Sequence, residues 1–217
     1  MKKFIALALG MALAVSSVTA ERISTIGVRG DLSFSVGSEL GSDIKDVYKS
    51  FGVNLDPTTE VGGGVTLLIK NTFSNNIVLQ GEFGFAHNVV GFEGDGVEMT
   101  FSCNTLNFAA LFGYDFLLAQ NTVALTPFVG IQAGYILGDC DSEVTVSGTT
   151  QSDSGSVDSI SLSSLLFGVE ALVSVGPGHI VLDGRYNLGL FPVRDDDSDI
   201  ATFRALQLGA GYSWKLN

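Results

Sequence analysis

Bases are scarce in this chain: 11 Lys and Arg stand against 23 Asp and Glu, a formal net charge of −12. A nucleic-acid binder needs a basic face to neutralise phosphates, so that class is excluded. Histidine and cysteine each occur only twice, and His87, Cys103, Cys140 and His179 lack the short spacings of a zinc ligand set, so no metal or other cofactor is expected. No Gly-rich phosphate loop opens a helical pattern. Beyond the first 20 residues, no apolar run reaches the roughly 20 residues that a spanning helix requires. Yet the mean hydropathy is +0.37. High hydropathy without helical spans points instead to strands whose two faces differ.

The closing stretch, Ala205 to Asn217, shows such a strand most clearly. Leu206, Leu208, Ala210, Tyr212, Trp214 and Leu216 share one parity, and Ala205, Gln207, Gly209, Gly211, Ser213 and Lys215 share the other. Successive side chains of a strand point to opposite faces, so this is a ribbon with one greasy and one small, polar face. The same alternation marks seven stretches upstream: Ile26–Val36, Val61–Lys70, Ile77–His87, Phe101–Asp115, Val123–Leu137, Ser164–Val175 and Ile180–Leu190. Pro127 cannot donate to a ladder and is expected at a first ladder position or a bulge. Eight strands joined alternately by short and long connections predict an all-β fold, an eight-stranded antiparallel up-and-down transmembrane β-barrel. A soluble barrel of the lipocalin type competes, but it would put charge outside and grease inside.

Met1-Lys2-Lys3, the apolar run Phe4–Val15 and Val18-Thr19-Ala20 read as a secretory signal peptide over residues 1–20. Residues 21–217 then form one barrel domain, exported to a bacterial outer membrane and expected to be monomeric. Cys103 and Cys140 would meet an oxidising compartment. Both fall on the inward parity, at nearly matching distances from the turn near Gln120, so a disulfide between them is expected.

Charge is distributed unevenly. Of the 23 acids, 17 fall in the long connections against Lys45, Lys49 and Arg194 alone. Divalent cations or a surface ligand are the partners such acidic loops suggest. The cluster Asp195-Asp196-Asp197-Ser198-Asp199 lacks the Gly and Glu that an EF-hand loop places at its sixth and twelfth positions. Within the strands, Arg29, Asp31, Glu82, Glu170, Asp183 and Arg185 all point inward near one level. Buried charges require partners, so a salt-bridge network plugging the lumen is expected, with Leu68, Leu111, Phe128, Ile136, Leu166 and Leu172 as apolar filling. His87, with Ser102 and Asp95 near in sequence, invites a hydrolase reading. No fixed spacing ties the three together, and the expectation is a rim histidine and no enzyme.

Gln207, Gly209, Tyr212 and Trp214 resemble the C-terminal signal read by the outer-membrane assembly machinery. Gly184-Arg185-Tyr186-Asn187-Leu188-Gly189-Leu190 and the run Gly27–Gly30 resemble the small outer-membrane β-barrel domain families of OmpA-, OmpX- and OmpW-like architecture. An OmpX- or OmpA-like relationship implies a plugged barrel with a structural or surface-interaction role in outer-membrane lipid. An OmpW-like relationship implies a narrow channel for small hydrophobic molecules.

Overall fold

A computed structural model describes residues 22–156, 161–190, 193–195 and 198–216. Residues 1–20, where the signal peptide is expected, lie outside them. Eight long strands make the wall: β1 (Arg22–Ser35), β2 (Val61–Phe73), β3 (Ile77–Gly94), β4 (Val97–Tyr114), β5 (Val123–Val146), β6 (Ser161–Val175), β7 (Gly178–Gly189) and β8 (Arg204–Leu216). Each pairs antiparallel with the next, and β8 pairs with β1 from Ser24↔Leu216 to Ser35↔Ala205, so the ring closes.

The register fixes the shape. A rung followed round the barrel from Val173 passes Ile180, Tyr212, Val28, Leu67, Phe83, Phe108 and Ala133, and returns to β6 at Ser163. With strands about 4.8 Å apart and a rise of about 3.3 Å per residue, that ten-residue stagger gives a tilt of roughly 40° and a Cα radius of roughly 8 Å. Such a cylinder holds side chains and little else. Alternation sorts them: Val28, Leu32, Leu67, Phe83, Ile131, Leu182 and Leu208 lie exposed outside, while Leu68, Leu111, Phe128, Ile136, Leu166 and Leu172 are buried inside.

Short turns close one end, at Ser74–Asn76, Ala119–Thr122 and Gly176–Pro177. Pro127 lies well inside β5, opposite Val169 of β6. On its other side the ladder to the β4 arm lapses between Gly113↔Phe128 and Phe116↔Leu125, so its missing N–H leaves no partner stranded.

The other end differs from expectation. The acid-rich connections after β3 and β5 continue as ladder instead of loop. β3 and β4 run on to Gly94↔Val97 around Asp95-Gly96, and β5 runs to Val146, returning through Ser147-Gly148 as the strand Thr149–Ser156. Both turn pairs have positive φ at each residue, 51° and 80°, then 50° and 82°. That backbone matches the twist of a two-residue hairpin, and it is why a glycine stands second. The polar segment after β1 carries a helix, α1 (Ser42–Ser50), and the short strand Asp56–Thr58 paired to β3. Strands Val193–Asp195, Ser198–Thr202 and Glu39–Leu40 form a small separate sheet.

The lipid-facing assignment has a depth-dependent consequence. Leu208→Arg, at mid-belt, should reduce barrel stability by about 2–4 kcal/mol, whereas Trp214→Arg, near the short-turn end, should change it by about 1 kcal/mol or less. Urea titration of the barrel in lipid vesicles reads both; equal losses would contradict the register.

Candidate functional site

The inward charges form two clusters on the narrow lumen. In the first, Arg185 of β7 forks onto Glu82 of β3, with Nη1 to Oε2 at 2.7 Å and Nη2 to Oε1 at 2.9 Å. It also donates to Asp183 from Nε at 2.6 Å and from Nη2 at 2.9 Å. Arg29 of β1 donates from Nε to Asp31 at 2.6 Å and from Nη1 to Glu82 at 3.1 Å. Its Nη1 lies 3.5 Å from Asp183. Thr66 donates to Asp31 at 2.7 Å, and the Arg185 guanidinium sits 5.0 Å above the centre of the Phe128 ring. The second cluster centres on Lys70 of β2, whose Nζ reaches Asp115 at 3.1 Å, Glu170 of β6 at 3.1 Å and Thr126 at 3.0 Å. Gln80 joins the two, donating to Glu82 at 2.8 Å and to Glu170 at 3.5 Å.

None of these eight charged side chains is more than 11 % exposed. Each cluster holds one more acid than base, and hydroxyl and amide donors serve the excess: Thr66 for Asp31, Thr72 and Thr126 for Asp115, and Gln80 for both glutamates. In an eight-membered ring β3 stands opposite β7, and β2 opposite β6. The pairs Arg185–Glu82 and Lys70–Glu170 therefore span the diameter as two cross-braces. Glycines make room for them. A Cβ on Gly209 would stand 2.5 Å from Asp31 Oδ1 and 2.6 Å from Arg29 Cδ, and one on Gly168 would stand 2.8 Å from the Arg185 Cα.

Sequence reasoning grouped Glu170 with the arginines; it stands in the lysine cluster. Lys70 and Asp115, whose places in a network were missed, hold that cluster. Both had an inward parity to find them by: Lys70 in its stretch, and Asp115 as the last residue of Phe101–Asp115, in the same odd-numbered row as Cys103.

An apolar cap lies towards the long-loop end. Phe203, just before β8, packs against Val90 and Phe92 on one side and against Cys103 and Ile136 on the other. Cys103 and Cys140 are joined as a disulfide, with Cα atoms 4.6 Å apart. They face each other because β5 bulges: two steps on β4, Ser102 to Asn104, oppose four on β5, Asp141 to Leu137. Without the extra pair the lower register would set Cys103 opposite Gly138, whose φ of 71° marks the bend.

Other candidates are not brought together. His87 hydrogen-bonds Asn104 at 3.1 Å on the outer surface, Ser102 pairs with Val89, and Asp95 occupies the distant hairpin tip. Of the acidic run, Asp196 and Asp197 lie outside the described residues, and Asp199 pairs with Arg194 in the small sheet. Gln207, Gly209, Tyr212 and Trp214 lie along β8, the two aromatics outward with ring centres 5.1 Å apart. Among the described residues, no group of three or more His, Cys, Asp or Glu is arranged to hold a metal ion.

A family model for the outer membrane protein beta-barrel domain matches residues 20–195. The chain belongs to that family. It is accordingly an outer-membrane protein, with its short turns on the periplasmic side and its long arms outside. Among solved structures, the outer membrane protein OprG from Pseudomonas aeruginosa superposes with a TM-score of 0.50 at 8% identity, over 93% of this chain and 100% of that one. Ail of Yersinia pestis, solved in complex with the heparin analogue sucrose octasulfate, gives 0.41 at 19% identity, over 89% and 99%. Neisserial surface protein A gives 0.44 at 12%, over 89% and 97%. No curated protein matches the chain.

Two variants separate the braces from the cap. Arg185→Ala leaves Glu82 and Asp183 short of a buried cation and should reduce stability in urea by about 3–5 kcal/mol. Cys103→Ser with Cys140→Ser should reduce it by about 2–4 kcal/mol through the unfolded chain. Ellman titration of the unreduced, denatured protein should find no free thiol, and two per chain would rule the link out.

Proposed function

We propose that this outer-membrane barrel is a closed, non-enzymatic wall element that presents its acidic outer arms at the cell surface in a structural or interaction role. The observation that carries this reading is the pair of cross-braces. Two buried ion-paired layers, the packed cluster Leu111–Phe128–Leu166 and the buried Leu68 occupy the lower half of the lumen. An ion passing that level would have to displace paired charges in a poorly hydrated space. A narrow channel for small hydrophobic molecules is disfavoured by the same lining, since such a solute would meet charged and amide groups along the axis.

The remaining roles follow from this placement. Residues 1–20 direct export, and Gln207, Gly209, Tyr212 and Trp214 on the closing strand are what the assembly machinery reads. The barrel works as a monomer in outer-membrane lipid. Acids on the outer arms, including Glu93, Asp95, Glu98 and Glu143, supply a negative surface for divalent cations or a cationic partner.

Planar-bilayer recording tests the central reading. The wild-type barrel should show no stepwise conductance, and Lys70→Ala combined with Arg185→Ala should open one if the barrel still assembles. Steady ohmic conductance from the wild-type protein would overturn the closed-lumen reading.

A further inference from the structure

Above the cross-braces the lumen changes chemistry. Ser33, Asn107, Gln132, Ser164, Asn187 and Gln207, from six different strands, stand at about one level of the staggered wall. Two adjoining cavities of about 30 Å³ each open there and share Ser33, Asn107 and Gln132 in their walls. The floor is the Arg29–Glu82–Arg185 layer, and the roof is Phe203 with Val90. Two buried polar atoms of the lining, Asn187 Oδ1 and Arg204 Nε, have no hydrogen-bond partner among the described residues. A buried acceptor or donor left open keeps its desolvation penalty uncompensated, so such groups are normally met by something bound.

We propose that this chamber is a blind binding site for a small uncharged molecule carrying both donors and acceptors, of the amide or polyol kind, admitted from outside past Phe203. The proposal rests on the closed-lumen reading only for its floor. The charged groups of the lining are already ion-paired, Arg29 and Arg185 with the floor carboxylates and Arg204 with Glu39, so none is left over to compensate a free ion in so poorly hydrated a space, and charged ligands are excluded. An apolar ligand would leave the amide tier unmet. Each cavity exceeds the roughly 10–15 Å³ that one water needs, which limits a ligand to a few heavy atoms. Phe203 is the natural lid, because it is one side chain bridging the two apolar groups of the cap.

Acetamide serves as the probe, with the full barrel in lipid nanodiscs and NMR contacts read at the side-chain amides of Asn107 and Gln132. Saturable acetamide contacts are expected. They should weaken at least tenfold in Gln132→Leu, and in Asn187→Leu should the first variant assemble poorly. In Phe203→Ala, acetamide should exchange at least tenfold faster while planar-bilayer conductance stays absent. Contacts to water alone at every acetamide concentration would overturn the site. So would equal occupancy by acetate or by cyclopropane, or an exchange rate indifferent to Phe203. Conductance in the wild-type barrel would refute the closed lumen separately, without touching the acetamide result.

Discussion

Hydrocarbon offers no hydrogen bonds, so every peptide group that crosses a bilayer in an extended chain must find its partner on a neighbouring strand. A sheet satisfies this only by closing, and the register from β8 to β1 is the step that removes its last edge. Closure in turn demands a uniform period of two along every strand. The outer parity must be apolar for lipid, and the inner parity is left to fill a cylinder of fixed width.

That width governs the chemistry inside. At eight strands and a ten-residue stagger, opposite walls lie within reach of two long side chains. Arg185 meets Glu82 and Lys70 meets Glu170 across the axis, whereas in a wider barrel the same residues would face water. Each pair ties strands that share no ladder, β7 with β3 and β2 with β6. The inward glycines, Gly168 and Gly209 among them, make up the difference between a bulky brace and a narrow wall. Further out, the bulge at Gly138 and the Cys103–Cys140 link mark where the wall stops being a membrane barrel and becomes a free-standing arm.

Much of the wall was legible in the sequence, because a period of two survives in each strand taken alone: Leu206 to Leu216 needs no partner to be read as a lipid-facing row. What was lost is whatever depends on a relation between strands. The stagger decides that Glu170 stands with Lys70 and Asp115 and away from Arg185, and no local pattern carries the stagger. The outer arms were hidden by composition, since Asp95-Gly96 and Ser147-Gly148 sit among residues typical of loops. There the turn pairs were the informative signal, with Val90, Phe92, Val97 and Met99 alternating beside the first. Phe203 carried no signal at all, being a single aromatic ahead of a strand whose importance lies wholly in what folds over it.

Whether the braces hold the barrel or merely occupy it comes down to coupling between opposite walls. A double-mutant cycle on Arg185 and Glu82, each changed to Ala and then both together, with unfolding free energies measured in lipid vesicles, isolates that term. The cross-brace requires a coupling energy of about 1–3 kcal/mol, with the double variant less damaged than the single losses would sum to. Losses that add to within about 0.5 kcal/mol would mean that the two side chains act independently, and the account of the lumen would fail.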